Sequence, residues 1–183
     1  MIKLIQPCKE YEEEIYAFRD EYIADRRNNK AEGEISMEGC GRLERSENLE
    51  DWLAHLDSYA DRNRIDPASG MVEGSQWMLV DEEKHRILGM INLRHYLNEN
   101  LEKFAGHIGY SVRPSERRKG YGKMQLNMAL DILREKGVER ALLTCDSDNA
   151  GSYKTMEACG AVLENEVYNE EHGKKIRRYW ITL

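Results

Sequence analysis

The stretch Gly109-Tyr-Ser-Val-Arg-Pro-Ser-Glu-Arg-Arg-Lys-Gly-Tyr-Gly-Lys123 decides how the rest of the chain is read. An apolar segment from His107 to Val112 runs into Arg113-Pro114, so a strand passes into a turn there. Four cations follow in close order, Arg117, Arg118, Lys119 and Lys123, interleaved with Gly120, Tyr121 and Gly122. The two glycines open a long helical pattern. A helix start leaves backbone N–H groups without partners and adds positive potential, and glycine lets a ligand approach the backbone closely. Strand, basic loop and glycine-opened helix are together the parts of a diphosphate cradle. A basic surface loop with glycines for a tight turn accounts for the same residues, and both readings stand at this point. Two nucleotide motifs fall: G-x-x-x-x-G-K-[ST] is absent, and Gln125 occupies the place of the third glycine in the dinucleotide fingerprint.

Working outward, Trp77 to Val80 and Ile87 to Leu93 are apolar runs separated by the charged Asp81 to Arg86, the pattern of a hairpin. Downstream, Gly122 to Lys136 reads as a helix that is apolar almost all round, through Met124, Leu126, Met128, Leu130, Ile132 and Leu133. Ala141 to Cys145 reads as a strand, Ser152 to Cys159 as a short helix, and Ala161 to Tyr168 and Lys175 to Leu183 as two closing strands. Upstream, Met1 to Gln6 forms a strand closed by Pro7. Lys9 to about Asn28 follows as an amphipathic helix with Tyr11, Ile15, Phe18 and Tyr22 on its apolar stripe. Residues 29–47 are polar and irregular. Ser46 is positioned to cap a second helix, with Leu49, Trp52, Leu53, Leu56 and Ala60 facing inward. Arg62 to Ser75 is turn-rich. The order β-α-α-β-β-β-α-β-α-β-β predicts an α/β (α+β) layer fold, without internal repeat or linker, as a single domain over 1–183.

Composition narrows the function classes. The 183 residues are 40% hydrophobic and 33% charged, the range of soluble globular proteins. A formal net charge of −7 argues against a dedicated nucleic-acid binder, which needs a basic excess. No apolar run approaches the ~18 residues that cross a bilayer, and the mixed, acidic N-terminus is no signal peptide. The cysteines at 8, 40, 145 and 159 and the histidines at 55, 85, 95, 107 and 172 are scattered, so no metal site is expected. Reduced thiols in a cytoplasmic protein are the simplest reading.

Arg117-Arg-Lys-Gly120-Tyr-Gly122 resembles motif A of the GNAT acetyltransferase superfamily, [RQ]-x-x-G-x-[GA]. The strand before it and the V-x-P approach, Val112-Arg-Pro114, agree with that family. So does the later Asn149-Ala-Gly-Ser152 followed by Gly160-Ala161, which is similar to its N-x-x-[SA] … G-[FA] element. The string V-R-P-S-E-R-R-K-G-Y-G looks like a bacterial branch of the superfamily. The match spans roughly Ile87 to Val167. The resemblance implies a mixed, mainly antiparallel central sheet flanked by helices. Residues 1–75 would form the first strand and the helical acceptor side, and 76–183 the acetyl-CoA-binding core. It implies acetyl-CoA as cosubstrate, with the pantetheine arm pairing to backbone at Tyr110, Ser111 and Val112. The pyrophosphate would be held around Arg117, Arg118, Lys119, Gly120, Tyr121, Gly122 and Lys123. Asn149 and Ser152 would contact the pantetheine, although an ordinary helix cap explains Asn149 equally well. The acetyl group would pass directly to a primary amine in a ternary complex.

The chain departs from the family in one place. Many members carry a tyrosine seven residues after the asparagine as general acid, and here that residue is Met156, an apolar wall beside the acetyl group. Tyr153 is one turn earlier on roughly the same face and is the candidate acid, with packing or substrate contact as its other reading. His107, on the strand leading to the cradle, is the candidate base, with a packed structural role as the alternative. Glu116 reads as solvated. Cys145 offers a nucleophile in principle, but no histidine is positioned beside it by the sequence. His95 and Tyr96 could line the acceptor side. The acceptor cleft would be walled by the first two helices, their connecting segment and the final hairpin. Those regions carry Glu12 to Glu14, Glu21, Asp25, Glu32, Glu34, Glu38, Glu164, Glu166, Glu170 and Glu171, which either attract a cationic amine or form solvated faces. Tyr22, Trp52 and Tyr59 read as core. A homodimer is admitted by this reading. A noncatalytic acyl-CoA sensor and a protein-interaction domain remain the rival functions.

Overall fold

The computed structural model describes residues 1–25 and 36–183. Residues 26–28 of the expected first helix, Glu32 and Glu34 therefore lie outside the described residues. The elements are β1 (Ile2–Ile5), α1 (Glu12–Ala24), α2 (Leu49–Ser58), β2 (Gly74–Asp81), β3 (Arg86–Arg94), β4 (Ile108–Val112), α3 (Tyr121–Glu135), β5 (Arg140–Asp146), α4 (Ala150–Ala158), β6 (Val162–Asn169) and β7 (Lys174–Thr182). This is the order expected from the sequence, in an α/β arrangement of antiparallel sheet flanked by helices. One sheet runs β1-β2-β3-β4 and the other β5-β7-β6, with antiparallel neighbours throughout. Between β4 and β5 the layer is interrupted, and Gly106 and Leu143 alone form a bridge there among the described residues.

Alternation along β3 divides the core. Met78, Val80 and Met90 pack with Ile15 and Phe18 of α1 and Leu49 and Trp52 of α2. On the other face, Ile91 and Leu93 pack with Leu126, Leu130 and Leu133 of α3 and with Leu143 and Tyr179. Each such side chain, fully removed from water, contributes about 1.5–3 kcal/mol.

Three local expectations change. Asn48, not Ser46, caps α2, its Oδ1 accepting from Asp51 N–H at 2.9 Å; an Asn directly before the first helical residue has better reach to that amide. Ala60 lies past the end of α2 and is exposed, and Tyr59 takes the inward position. Helix α3 is amphipathic rather than apolar all round: Asn127, Asp131, Arg134 and Glu135 form an exposed face, with Met124 open to solvent beside them.

Candidate active site

The ladder between β3 and β4 determines which backbone groups of β4 are available. Arg94 N–H donates to His107 O at 2.8 Å, and Arg113 N–H to Leu88 O at 2.9 Å, bracketing the pairing of Gly89 with Val112. In an antiparallel pair the bonded positions alternate, so Gly109 and Ser111 turn their main chains toward β3, and Tyr110 and Val112 turn theirs to the free edge. Ser111 is thus not an edge residue. Its carbonyl also accepts from Gln125 Nε2 at 3.1 Å, and its hydroxyl lies 3.2 Å from Cys40 Sγ. The free edge faces β5, to which β4 is joined only through Gly106, His107, Leu142 and Leu143 at its start. Beyond that closed end the two strands are unpaired, and the opening leads to the basic loop.

That loop is a cradle of amides. From Arg118 to Lys123 no backbone N–H has a hydrogen-bond acceptor among the described residues; the series resumes with Met124, which donates to Gly120 O at 3.0 Å. Arg118 holds a left-handed φ of 66° and Gly120 one of 88°, which aims successive N–H groups to one side. A Cβ on Gly120 would meet nothing within 4 Å, so the space above the turn is open. Gly122 serves packing instead. A Cβ there would sit 3.6 Å from both Val112 and Thr155, at the meeting of β4, α3 and α4.

The cations divide into two sets. Arg118 and Lys123 are exposed and have no ion-pair partner among the described residues. Arg117 and Lys119 face inward to the scaffold: Arg117 donates to Val112 O at 3.2 Å and to Asp25 at 2.7 Å, and Lys119 to Glu116 at 2.8 Å. Glu116 is not merely solvated, since Arg86 also donates to it at 3.0 Å. Burial raises the Glu116 pKa, and the hydrogen bonds from Lys119 and Arg86 outweigh this and lower it.

Beneath the loop lies a mount that the sequence did not single out. Arg113 is 2% exposed. It donates to Glu21 at 2.8 Å, to Glu14 at 2.6 Å and to Ile87 O at 3.0 Å. Glu21 accepts in turn from Ser115 N–H at 2.7 Å, and Glu14 from Ile87 N–H at 2.9 Å. Residues 14, 21 and 25 fall on adjoining positions of one helix face, so α1 presents three carboxylates to Arg113, Ser115 and Arg117. The sequence signal was that spacing combined with a loop rich in arginine. These carboxylates hold the cradle loop in place, and Glu164 and Glu166 are likewise paired, with Arg178 and Arg177.

Helix α4 carries the remaining candidates. Asn149 is its cap, accepting from Ser152 N–H at 3.1 Å. Tyr110 reaches from β4 to the same turn, 3.2 Å from Ser152 Oγ, and burial raises its phenol to about 12. Met156 is fully buried in the α3-side core. Tyr153 is half-buried; the Arg177 guanidinium stands 4.3 Å from its ring centroid, and its hydroxyl has no partner among the described residues. Burial pushes the Cys145 thiol up to about 11, opposite to what a nucleophilic thiolate requires.

His107 is held at the closed end between β4 and β5. Its Nδ1 accepts from Leu142 N–H at 3.0 Å while its own N–H donates to Leu142 O at 2.7 Å. Burial pushes the imidazole down to about 4. A ring that accepts at Nδ1 carries its proton on Nε2, so neither nitrogen keeps a free lone pair. His95 is bound elsewhere, beside Glu73 and Ser75.

The other face of β4 is covered by the connection between α1 and α2. A Cβ on Gly39 would lie 2.4 Å from Gly109 O and from Tyr110 Cα, so this connection rests directly on β4. Gln76 donates to Gly39 O at 2.8 Å, and Asn92 links Gln76 to the Tyr59 hydroxyl. Glu38, exposed and held by Ser36 at 3.0 Å, precedes that contact. Its charge reaches both Arg94 on β3 and Lys174 on β7.

Comparison with known proteins matches residues 38–161 to the acetyltransferase (GNAT) family, about two thirds of the chain. The chain belongs to the GNAT family. The uncharacterized N-acetyltransferase YjdG of Bacillus subtilis (strain 168) is 30% identical over 100 residues, covering 52% of this chain and 56% of that protein. The alignment thus spans little more than half the length of this relative. Among solved structures, the microcin C7 self-immunity acetyltransferase MccE, in complex with acetyl-CoA and AMP, is similar with a TM-score of 0.65 and 19% identity, covering 100% of this chain and 92% of that one. A spermidine N-acetyltransferase SpeG chimera of Vibrio cholerae and hSSAT gives 0.62 and 15%, covering 99% and 95%. These likenesses show the fold. Among the described residues no helix is long and apolar enough to cross a membrane.

Proposed function

We propose that the protein is an acetyl-CoA-dependent N-acetyltransferase that transfers the acetyl group directly to a primary amine in a ternary complex. The observation that carries this reading is the run of unpartnered amides from Arg118 to Lys123 at the head of a fifteen-residue helix, beside a strand edge with no partner. The amides, Arg118 and Lys123 hold the pyrophosphate. Tyr110 and Val112 supply main-chain groups to the pantetheine arm, which lies in the opening between β4 and β5 with its thioester toward the closed end. Arg117 and Lys119 act on the cofactor only by shaping the loop.

The attacking amine must be neutral, and the carboxylate of Glu38, at the contact between the connection and β4, takes up its proton directly or through water. His107 is structural in this reading, because its Nδ1 lone pair is taken by the Leu142 N–H and its Nε2 carries the proton. The tetrahedral intermediate gives up the extra proton of its nitrogen to water and collapses with expulsion of the coenzyme A thiolate. Tyr153, whose ring is held against Arg177 and whose hydroxyl is uncommitted, protonates that sulfur. Met156 is part of the apolar support beneath it.

Isothermal titration with acetyl-CoA, coenzyme A and ATP tests the cradle. Micromolar binding of both coenzyme A species with no response to ATP is expected, followed by thiol release with an amine panel. Absence of coenzyme A binding refutes the assignment, and binding without turnover of any amine moves the protein to the acyl-CoA sensor class.

A further inference from the structure

Arg94 is a half-buried cation with no counter-ion among the described residues. It ends β3, and its Nη1 donates to Gly106 O at 3.0 Å and more weakly to Ala105 O at 3.5 Å. No carboxylate pairs with it among the described residues, whereas Arg86, Arg113 and Arg117 each have one. Burial lowers its pKa, and only the more distant charge of Glu38 and the Tyr59 phenol oppose this. Buried charges are ordinarily paired, because leaving water is costly. The two carbonyls explain one nitrogen. Nε and Nη2 have no acceptor among the described residues.

Its place in the fold gives this a direction. Gly106 is the residue that bridges to Leu143, so the guanidinium stands at the closed end of the opening between β4 and β5. Arg94 and Asn92 alternate onto the same face of β3, and Asn92 contacts Tyr59 and Gln76 under the α1–α2 connection. The cradle lies at the opposite end of β4, beyond Val112. A cofactor entering from the cradle presents its acyl end toward Arg94, and an acceptor must come from the face of β3 that carries Arg94 and Asn92, whose charge field Glu38 shares.

We infer that Arg94 is an anion-recognition residue of the acceptor site, and that the amine acetylated by this protein also carries a carboxylate. The inference rests on the acetyltransferase reading for the amine, and on Arg94 itself for the acid. Nε and Nη2 form the fork that receives the carboxylate in bidentate fashion, while Glu38 attracts the ammonium group of the same molecule. A polyamine or other purely cationic acceptor would leave Arg94 unpaired.

The test uses amino acids and ω-amino acids, each beside its carboxamide, with the full-length protein loaded with coenzyme A for binding and with acetyl-CoA for thiol release. At least one acid is expected to bind at least about tenfold more tightly than its carboxamide, the loss typical of a missing charged hydrogen bond. Arg94→Met should remove that preference while leaving coenzyme A affinity unchanged. Equal binding of acids and carboxamides to the wild type overturns the inference without need of the variant, as does a preference that survives Arg94→Met. Arg94-dependent acid binding without thiol release supports the anion site and refutes the transferase reading. Thiol release with no acid preference does the reverse.

Discussion

His107 and Leu142 form a closed pair, Leu142 N–H donating to the imidazole Nδ1 at 3.0 Å and the His107 backbone N–H donating to Leu142 O at 2.7 Å. With Gly106 and Leu143, this pair is what joins the two sheets at the closed end of the cofactor opening. The acceptor at Nδ1 exists only while the ring is neutral. In the folded protein the imidazole is pushed down from 6.5 to about 4, chiefly by burial. Between those values the unfolded chain binds the proton and the folded one does not, so stability falls as pH drops from 6.5 toward 4. The full effect is about 3 kcal/mol at one pKa unit per 1.36 kcal/mol. Urea denaturation at pH 7 and pH 4.5 should show a steeper loss for the wild type than for His107→Asn. An equal loss would show that His107 is not held neutral. The same bonding predicts that no limb near pH 6.5 in kcat/KM disappears on His107→Asn.

The buried Arg113 sets a second expectation. Replacing it with Met leaves Glu14 and Glu21 facing each other without their cation and frees Ser115 from its anchored carboxylate. Breaking such a pair by removing one partner costs about 3 kcal/mol. Arg113→Met should lose stability on that scale in urea titration and bind coenzyme A more weakly. Arg113→Lys should recover part of the stability but less of the affinity, because one ammonium cannot reproduce the fork. The Glu21 carboxyl is raised by burial and lowered more by Arg113 and Ser115, for a net depression. Its contribution is therefore present above the ordinary carboxylate range and lost as pH falls through it. Identical acid sensitivity in Glu21→Gln would remove Glu21 from the mount.

The element order and the cradle were legible in the sequence because both depend on local signals. Strand alternation, a Pro-bounded turn and two glycines before an amphipathic run are each written within a few residues. The long-range pairings were not. Arg113 and Glu14 are 99 residues apart, and nothing in the neighbourhood of either marks the other. Glu14, Glu21 and Asp25 read as an acidic helix face, which describes their spacing correctly and leaves their partners open. His107 shows the converse. Its residue type suggests a base, and the commitment of its Nδ1 lone pair to Leu142 N–H is a property of where β5 passes. Arg94 falls just past the strand read from the sequence, Ile87 to Leu93, and its lack of a counter-ion among the described residues appears only once its surroundings are known.

The two cradle glycines should respond differently. Gly120 has a φ of 88° and open space above it, whereas Gly122 lies in ordinary van der Waals range of Val112 and Thr155. Gly120→Asp puts a carboxylate at the proposed pyrophosphate site, and should weaken coenzyme A binding by at least tenfold, or ~1.4 kcal/mol. Gly120→Ala should cost ~1–2 kcal/mol of stability from the left-handed backbone. Gly122→Ala should change affinity less than about threefold, since its Cβ points away from the ligand and into packing contacts that have room for it. Calorimetric titration of the variants reads these directly. Equal effects at both positions would mean that the ligand does not approach the turn at Gly120.

Tyr153→Phe isolates the proton that the leaving sulfur needs. The ring keeps its place, because the contact with Arg177 is made by the aromatic face and Phe preserves it. The hydroxyl bonds to no described residue, so its removal leaves no buried group unsatisfied, and folding stability should be unchanged within about 0.5 kcal/mol. If the phenol protonates the coenzyme A thiolate, kcat falls by about a hundredfold, within the usual range for a general acid, while acetyl-CoA affinity stays the same. Thiol-release kinetics beside calorimetry separate the two quantities. A kcat that is unchanged assigns the proton to solvent and leaves Tyr153 as a packing residue over β7. A parallel loss of affinity and rate would instead place the hydroxyl on the pantetheine arm, where it would act in binding rather than in the chemical step.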